Sequence, residues 1–206
     1  MKQISPSKIV CVGRNYAKHA AELGGEVPDE PLIFFKPPSS LIGEGEPIVM
    51  PPISNRVDFE GEIGVLIGKR ACKVPASEAW SYVEALVPVN DVTARDLQNI
   101  DDQWARAKGF DTFCAVGVPV PLKQIDRSSL AVVTRVNGVI KQEGDAADMV
   151  FDIPTIIEYI SSIMTLEPGD LVATGTPDGV APLKDGDVVE IEVAGVGSVR
   201  NPVIQG

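Results

Sequence analysis

Alternation of apolar and polar residues marks the stretch VDFEGEIGVLIG, residues 57–68, as a strand. Apolar residues and one glycine share one face of this strand, and Asp58, Glu60 and Glu62 share the other. Second neighbours on a strand lie only about 7 Å apart, so three carboxylates on one face repel unless water, a proton or a cation intervenes. The spacing alone is equally consistent with a solvated strand face and with a cation site.

The same patterns predict more strands than helices in the rest of the chain. The clearest hairpin is 131–144, because Asn137-Gly138 separates two alternating runs. The best helix is 152–166, where apolar residues recur at helical spacing. The other predicted helices are 15–25, 75–86 and one or two turns within 93–109. The other predicted strands are 8–13, 31–37, 47–51, 87–91, 169–177 and 186–203.

These elements do not alternate regularly, which favours an α+β, mainly β fold with an antiparallel or mixed sheet rolled over a core. A length of 206 residues suits one large domain, and we expect a single domain over 1–206. Within it, about residues 1–50 form an N-terminal strand and a loop-rich lid region. About residues 51–206 form the β core.

Composition excludes several classes of protein. The formal net charge is −11 and no cluster of Lys or Arg stands out, so a general nucleic-acid binder is not expected. The three cysteines, Cys11, Cys72 and Cys114, form no CxxC pair, which argues against a disulfide framework and a Cys-ligated zinc. With no apolar signal segment and no run of 18 apolar residues, we expect a cytoplasmic protein without a membrane partner.

Two details favour the cation site on the strand of acids. Glu is disfavoured in strands, and the apolar run that follows shows the strand entering a core. Glu60 and Glu62 can supply two oxygen ligands to a hard dication such as Mg²⁺ or Mn²⁺. The segment VNDVTARD offers Asp91 or Asp96 as a third ligand, and Asp91 is favoured because it ends an apolar strand.

Candidate acid–base and anion-binding groups lie outside that strand. His19 is the only histidine, and it shares a face of the predicted helix with Glu22, which can orient the imidazole. On spacing alone, a surface histidine with an incidental neighbour is favoured instead. Arg14 can bind a carboxylate in a bidentate manner or pair with a nearby loop. Lys108 can meet a substrate carboxylate or a developing oxyanion, or remain solvated.

Seven motifs in order give the chain a family resemblance: VGRNYAKHAAELG, FFKP, VDFEGEIGVLIG, NDVTARDLQ, WARAKGFD, VNGVIKQEG and TGTPDGV. Together they resemble the fumarylacetoacetate hydrolase superfamily from about residue 8 to 190. They are most similar to its short single-domain members of the acylpyruvate hydrolase and oxaloacetate decarboxylase type. The resemblance implies a mixed β-roll with a few short helices, an N-terminal lid helix and a homodimer.

The resemblance also implies roles for individual residues. Mg²⁺ or Mn²⁺ is expected on the metal ligands Glu60, Glu62 and Asp91, with Ca²⁺ as an alternative occupant in a crystal. The implied catalytic residues are His19, Glu22 and Lys108. The implied substrate-binding residues are Arg14, Gln98 and Thr176, and Lys36 is a weaker candidate for the same role. Several relatives carry His just before the Glu pair where this chain has Asp58-Phe59, which leaves the role of Asp58 open.

A 2-oxo acid chelates a dication through its carboxylate and its C2 carbonyl, so breaking the C3–C4 bond leaves a metal-bound enolate. The predicted function is therefore a metal-dependent enzyme on small 2-oxo acids or dicarboxylates that hydrolyses acylpyruvates or decarboxylates oxaloacetate. An isomerase or tautomerase of 2-hydroxy-dienedioates or oxaloacetate, as in aromatic-acid catabolism, passes through the same enolate and stays open. A non-catalytic metal-binding domain is disfavoured, because it has no need of the full set of residues.

Overall fold

The computed structural model describes residues 4–22 and 24–206, and strands dominate them. The predicted mainly β, α+β fold is confirmed. The strands are β1 (Ile9–Gly13), β2 (Leu32–Lys36), β3 (Leu41–Ile42), β4 (Ile48–Met50), β5 (Val57–Asp58), β6 (Gly61–Ile67), β7 (Val83–Asp91), β8 (Thr93–Ala94), β9 (Cys114–Val116), β10 (Val120–Pro121), β11 (Ala131–Val136), β12 (Val139–Asp145), β13 (Leu171–Ala173), β14 (Val188–Val193) and β15 (Gly197–Gln205).

The helices are few and short. They are α1 (Ala17–Glu22), α2 (Arg95–Gln98), α3 (Ala105–Lys108) and α4 (Ile153–Ile163). Short 3₁₀ segments span Pro38–Ser40, Ala76–Tyr82, Leu122–Gln124, Arg127–Ser129 and Ala146–Asp148. Among the described residues, no helix has the length and apolar character needed to cross a bilayer.

Two mixed sheets pack against each other. The larger has the order β2-β1-β13-β6-β7-β9-β3, with β10 added beside β7, and the smaller has the order β12-β11-β14-β15-β4. Strands β1 and β13, β3 and β9, and β4 and β15 run parallel, and the other pairs in these two sheets are antiparallel. Strands β11 and β14 lie across β6, so Ile63 and Val65 are buried in one apolar cluster with Val132 and Ile191.

The larger sheet is buried on its other face as well. A second apolar cluster there includes Val87 and Val89 of β7, together with Cys11 and Cys114. Burial raises the pKa of the Cys114 thiol to about 12, so this thiol is protonated at neutral pH and unreactive. All three cysteines are free, as predicted.

Local sequence signals predicted the hairpin and the longest helix correctly. Asn137 and Gly138 have φ of 53° and 79°, which fits the turn conformation that favours an Asn-Gly pair. Helix α4 begins after Asp152, whose carboxylate accepts the backbone N–H of Thr155 at 2.9 Å.

Three predicted elements differ from the structure. The helix predicted over 75–86 is a 3₁₀ segment that ends at Tyr82, because the chain then pairs with β6 as strand β7. The helix predicted over 15–25 begins only at Ala17, and the side chain of Asn15 bonds the backbone of Phe151 and Thr174. The continuous strand predicted over 57–67 is interrupted at 59–60, between β5 and β6.

The interruption follows from a change of partner. Strand β5 pairs with β8, whereas β6 pairs with β7. Between them, the backbone N–H of Glu60 donates to the Asn90 side chain at 3.0 Å, and the Glu60 carbonyl accepts from Asp91 at 2.9 Å. Glu60 is therefore held outside the regular ladder, beside the last residue of β7.

Candidate active site

Three carboxylates predicted as metal ligands meet at the junction of β6 and β7. Glu60, Glu62 and Asp91 each place one carboxylate oxygen within 4.8 Å of the other two. Their exposed fractions are 5%, 1% and 0%, and Asp58 is 0% exposed too. The alternative of a solvated strand face is therefore wrong for this stretch.

A glycine between the two glutamates allows the second sheet to approach. A Cβ atom on Gly61 would overlap Thr134 Oγ1 and would lie 3.2 Å from Ile191 Cδ1. The backbone N–H of Gly61 also donates to Gln142 Oε1 at 3.0 Å. Close packing of β11 and β12 on this glycine holds the two glutamates in place.

Buried cations surround part of the carboxylate cluster. Lys108 Nζ lies 2.8 Å from Glu60 Oε2 and 2.6 Å from Asp91 Oδ2, and Arg95 forms an ion pair with the other oxygen of Glu60. Burial raises the pKa of Glu60, but the charges of Lys108 and Arg95 outweigh it, so the pKa lies well below its usual range. Glu60 is therefore ionised at neutral pH.

Glu62 has a different environment. Its Oε2 accepts the backbone N–H of Gly175 at 2.8 Å, and within the described ranges no Lys, Arg or His nitrogen lies within 4 Å of its carboxylate. Burial, and then the charges of Asp91 and Glu60, raise its pKa well above the usual value. A buried carboxylate of this kind is either protonated or neutralised by a cation, and the oxygen-only donor set fits Mg²⁺ or Mn²⁺.

Asp58, whose role the sequence left open, binds two arginines. Its carboxylate accepts from Arg56 at 3.0 and 3.1 Å and from Arg95 Nε at 2.9 Å. Arg95 therefore bridges Asp58 and Glu60. Sequence reasoning missed this residue, although it lies in the TARD segment. Asp96, the other candidate in that segment, instead accepts hydrogen bonds from Ser54 and Asn55.

A cavity of roughly 330 Å³ opens over the carboxylates. Of the predicted catalytic and substrate-contacting residues, all but the weaker candidate Lys36 line it: Arg14, His19, Glu22, Gln98, Lys108 and Thr176, together with Glu60 and Glu62. Its wall also includes Arg56, Arg95 and Trp104, and Trp104 packs edge-on against Phe34 with ring centroids 5.2 Å apart.

Two of these lining residues are held by the protein itself. Thr176 Oγ1 donates to the Gly61 carbonyl at 2.9 Å and accepts from Gln142 at 2.8 Å. Gln98 accepts from Arg95 Nη1 at 2.5 Å. Their positions over the cavity are therefore set by contacts with β6 and with Arg95.

The lid helix α1 places a histidine–carboxylate pair at the cavity. His19 is 4% exposed, so it is not the surface histidine that spacing alone favoured. Its Nδ1 lies 3.3 Å from Glu22 Oε2, and the Glu22 oxygens lie 3.1 and 3.2 Å from the backbone nitrogen of Gly179. With Nδ1–H donating to Glu22, the lone pair of His19 is on Nε2, where it can take up a proton.

Arg14 lies on the turn between β1 and α1 with a φ of 56°, in the left-handed region. Its guanidinium packs so closely on Gly25 that a Cβ there would be 3.0 Å from Cζ. Among the described residues, no carboxylate lies within 4 Å of this guanidinium, in contrast to Arg56, Arg95 and Lys108.

Comparison with known proteins places this chain among similar enzymes. Residues 8–204 match the family model described as fumarylacetoacetate (FAA) hydrolase C-terminal. The chain is 45% identical to the mitochondrial oxaloacetate decarboxylase of Dictyostelium discoideum, over 92% of this chain and 89% of that protein. It is 44% identical to the mitochondrial oxaloacetate tautomerase of Mus musculus, over 93% of this chain and 89% of that protein.

Solved structures show the same fold. A 2-hydroxyhepta-2,4-diene-1,7-dioate isomerase from Mycobacterium marinum is 43% identical with a TM-score of 0.90, covering 98% of this chain and 76% of that chain. A fumarylpyruvate hydrolase from Pseudomonas aeruginosa, in complex with Mn²⁺ and pyruvate, is 28% identical with a TM-score of 0.93, covering 100% and 92%.

Proposed function

This chain belongs to the fumarylacetoacetate hydrolase family, and we propose that it is a divalent-metal-dependent enzyme that cleaves a carbon–carbon bond of small 2-oxo acids. The reaction is hydrolysis of an acylpyruvate or decarboxylation of oxaloacetate. The convergence of Glu60, Glu62 and Asp91 beneath a cavity that also holds His19 and Lys108 carries this proposal. Family membership confirms the sequence-based prediction of an enzyme.

Glu60, Glu62 and Asp91 hold the metal in this proposal. A bound Mg²⁺ or Mn²⁺ supplies a Lewis acid for the C2 carbonyl of a 2-oxo acid. The fumarylpyruvate hydrolase with Mn²⁺ and pyruvate supports this choice of ion and of ligand. The raised pKa of Glu62 and its lack of a cationic partner support a resident dication at these three residues.

Cationic side chains bind and orient the substrate. Lys108 is 1% exposed and has three N–H donors, so it can donate to a substrate carboxylate or to an oxyanion while it still contacts Asp91. Arg95 and Gln98 form the neighbouring wall, and Thr176 closes the opposite side. Because these groups are fixed by other contacts before substrate arrives, little reorganisation is needed.

In hydrolysis, His19 Nε2 takes a proton from a water molecule, and the hydroxide adds to the acyl carbonyl carbon. The C3–C4 bond then breaks, and its electron pair forms the enolate of pyruvate while a carboxylic acid leaves. A proton returns to C3 and completes pyruvate. Glu22 stabilises the imidazolium that forms, and its bond to Gly179 fixes the position of the pair.

The second candidate is an isomerase or tautomerase of oxaloacetate or of 2-hydroxy-dienedioates. The His19–Glu22 pair favours it, since an imidazole can move a proton on and off C3 without an attacking water. Arg14 favours it too, because this guanidinium is available to the second carboxylate of a dicarboxylate. The names of the mouse tautomerase and the M. marinum isomerase agree with this candidate.

A substrate panel tests both candidates. The purified protein is incubated with Mg²⁺ or Mn²⁺ and with acetylpyruvate, oxaloacetate or an unsaturated hydroxy-dicarboxylate, while pyruvate release and ultraviolet absorbance are followed. Pyruvate release supports bond cleavage, whereas an absorbance change without pyruvate supports isomerisation. Glu60→Gln should abolish turnover, whereas Glu143→Gln, on the exposed strand β12, should not. If no substrate is turned over, the proposal is wrong.

We also propose that the 206 residues form one catalytic domain that assembles as a homodimer. The edge strand β2 supports this assembly, because its Leu32 and Phe35 are 37% and 47% exposed. Light scattering on the purified protein measures the mass directly, and a monomer mass would contradict the proposed dimer. The cytoplasmic location stays a prediction from the sequence.

A further inference from the structure

Lys36, at the end of β2, is a lysine with almost no solvent exposure. The residue is 1% exposed, and its Nζ lies 2.6 Å from Asp91 Oδ1 and 3.0 Å from the carbonyl oxygen of Val92. The ammonium also lies 5.9 Å from the ring centroid of Phe113. An ammonium taken out of water costs several kcal/mol unless it is well paired, so the contact with Asp91 is what makes this burial tolerable.

The contact belongs to a pattern shared by the three predicted metal ligands. In each carboxylate, one oxygen is held by a group outside the cluster: Asp91 Oδ1 by Lys36, Glu60 Oε1 by Arg95 and Glu62 Oε2 by the Gly175 N–H. The second oxygens of Glu60 and Asp91 lie together on Lys108. A carboxylate oxygen has two lone pairs, so the Glu60 and Asp91 oxygens on Lys108, like the second oxygen of Glu62, can still bind a cation.

Lys36 approaches Asp91 from the side away from substrate. It does not line the cavity above the carboxylates, whereas Lys108 does. Each lysine thus contacts a different oxygen of the Asp91 carboxylate: Lys36 contacts Oδ1 and Lys108 contacts Oδ2, both at 2.6 Å. A direct substrate contact, for which the FFKP motif made Lys36 a weaker candidate, does not fit this position.

We infer that Lys36 is a positioning residue for the metal site: it fixes the Asp91 carboxylate so that Oδ2 alone faces Glu60 and Glu62. This inference rests on the proposed function. With Lys36 removed, the Asp91 carboxylate can rotate and offer both oxygens to Lys108, whose ammonium then competes with a dication.

Two effects of Lys36 on metal affinity have opposite signs. Its charge repels a dication, so its removal on this ground alone would tighten binding. Its ion pair with Asp91 orients a ligand, and loss of such outer-shell partners typically weakens metal binding about 10–100-fold. Burial strengthens both effects, and we expect orientation to be the larger because the Lys36–Asp91 contact is only 2.6 Å long.

Mn²⁺ binding by the whole chain tests the inference without any assay of turnover. Titration is followed by calorimetry and by the electron paramagnetic resonance spectrum of free and bound Mn²⁺, at a temperature where circular dichroism shows each variant folded. Lys36→Met should weaken Mn²⁺ about 10–100-fold and change the spectrum of the bound ion. Lys36→Gln, which retains an N–H donor on a shorter side chain, should give an intermediate affinity.

Lys8→Met is the matched control. Lys8 also pairs with an aspartate, Asp170, but its side chain is 23% exposed and lies outside the cavity. Lys8→Met should leave Mn²⁺ affinity within about threefold of wild type. The comparison shows whether any lost lysine–aspartate pair weakens Mn²⁺ binding or only the loss of the Lys36–Asp91 pair.

The outcomes are distinguishable. If Lys36→Met binds Mn²⁺ within about threefold of wild type, or tighter, the inference is overturned while the metal site stands. It is overturned equally if Lys36→Gln binds no better than Lys36→Met. If Lys36→Met does not fold, Lys36→Gln against wild type decides. If wild type binds no Mn²⁺, or Glu60→Gln binds it as tightly as wild type, the proposed function itself fails.

Discussion

Glu22 and Gly179 join the lid helix to the loop that follows β13. The Glu22 oxygens lie 3.1 and 3.2 Å from the Gly179 nitrogen, although the two residues are 157 positions apart. The same carboxylate holds His19 Nδ1 at 3.3 Å. One side chain therefore contacts both the loop at Gly179 and Nδ1 of the histidine on its own helix, which favours the Nδ1–H tautomer.

Glu22→Ala should lower kcat for acylpyruvate hydrolysis by about 10²–10⁴-fold, because His19 loses its orienting carboxylate. Steady-state kinetics with acetylpyruvate measures the effect. Glu26→Ala, at an exposed position of the same region, is the control and should keep kcat. An unchanged kcat in Glu22→Ala would remove the pair from the mechanism.

Glu62→Gln should stabilise the metal-free protein at pH 8 by on the order of 1–3 kcal/mol, because the substitution replaces a buried carboxylate that has no cation with a neutral amide. The folded-state pKa of Glu62 is raised, so wild type loses stability as pH rises from its unfolded value near 4 through the folded value. The difference in free energy of unfolding between Glu62→Gln and wild type should therefore shrink toward pH 4. Urea unfolding in a chelator across this range checks the sign.

Added Mg²⁺ should reverse that order of stabilities, since it stabilises wild type through binding and Glu62→Gln much less. Glu143→Gln should respond to pH and to Mg²⁺ as wild type does, because Glu143 is exposed and lies outside the carboxylate cluster. Equal stability of wild type and Glu62→Gln at every pH, with and without Mg²⁺, would contradict the proposed metal site.

Asp170→Asn should destabilise the protein at pH 7 by about 1–3 kcal/mol. The Asp170 carboxylate accepts from Ser7, Lys8 and the Glu167 backbone, and these bonds outweigh the effect of burial and lower its pKa. Its stabilisation is present above the unfolded value near 4 and is lost as pH falls through the lower folded value. Urea unfolding of both proteins at pH 7 and pH 3 should show a smaller difference in free energy of unfolding at pH 3 than at pH 7.

Arg14→Leu should raise KM for oxaloacetate about 10–100-fold and change KM for acetylpyruvate much less, because only the dicarboxylate loses a charge-assisted hydrogen bond. Arg70→Leu, which removes an exposed arginine paired with Glu167, is the control. An equal increase in KM for the two substrates would indicate that Arg14 binds the carboxylate that both substrates have.

Gly61→Ala should cost about 1–3 kcal/mol of folding stability, because the added methyl group meets Thr134 and forces the sheets apart. It should also weaken Mn²⁺ binding, since Glu60 and Glu62 flank this residue. Gly43→Ala has only Glu46 Oε1 near its added methyl, at 3.4 Å, and should be close to neutral. Thermal unfolding and Mn²⁺ titration measure the two effects.

Local chemistry and periodicity in the sequence determined much of this protein. The Asn137-Gly138 turn and helix α4 follow from short-range backbone preferences, and the alternation of apolar and acidic residues grouped Glu60 with Glu62. Asp91 was predicted as a third ligand because it ends an apolar strand. In the same way, His19 and Glu22 were paired because a helix places residues three apart on one face.

Only the tertiary structure decided which oxygen of each carboxylate is held and by what. Lys36, Arg95 and Gly175 carry no local signal for this task, since Gly175 reaches Glu62 across 113 positions. Pairing within the sheets also overrode the helical pattern after Tyr82. Such contacts depend on which distant segments the packed sheets bring together, and no spacing along the chain encodes that.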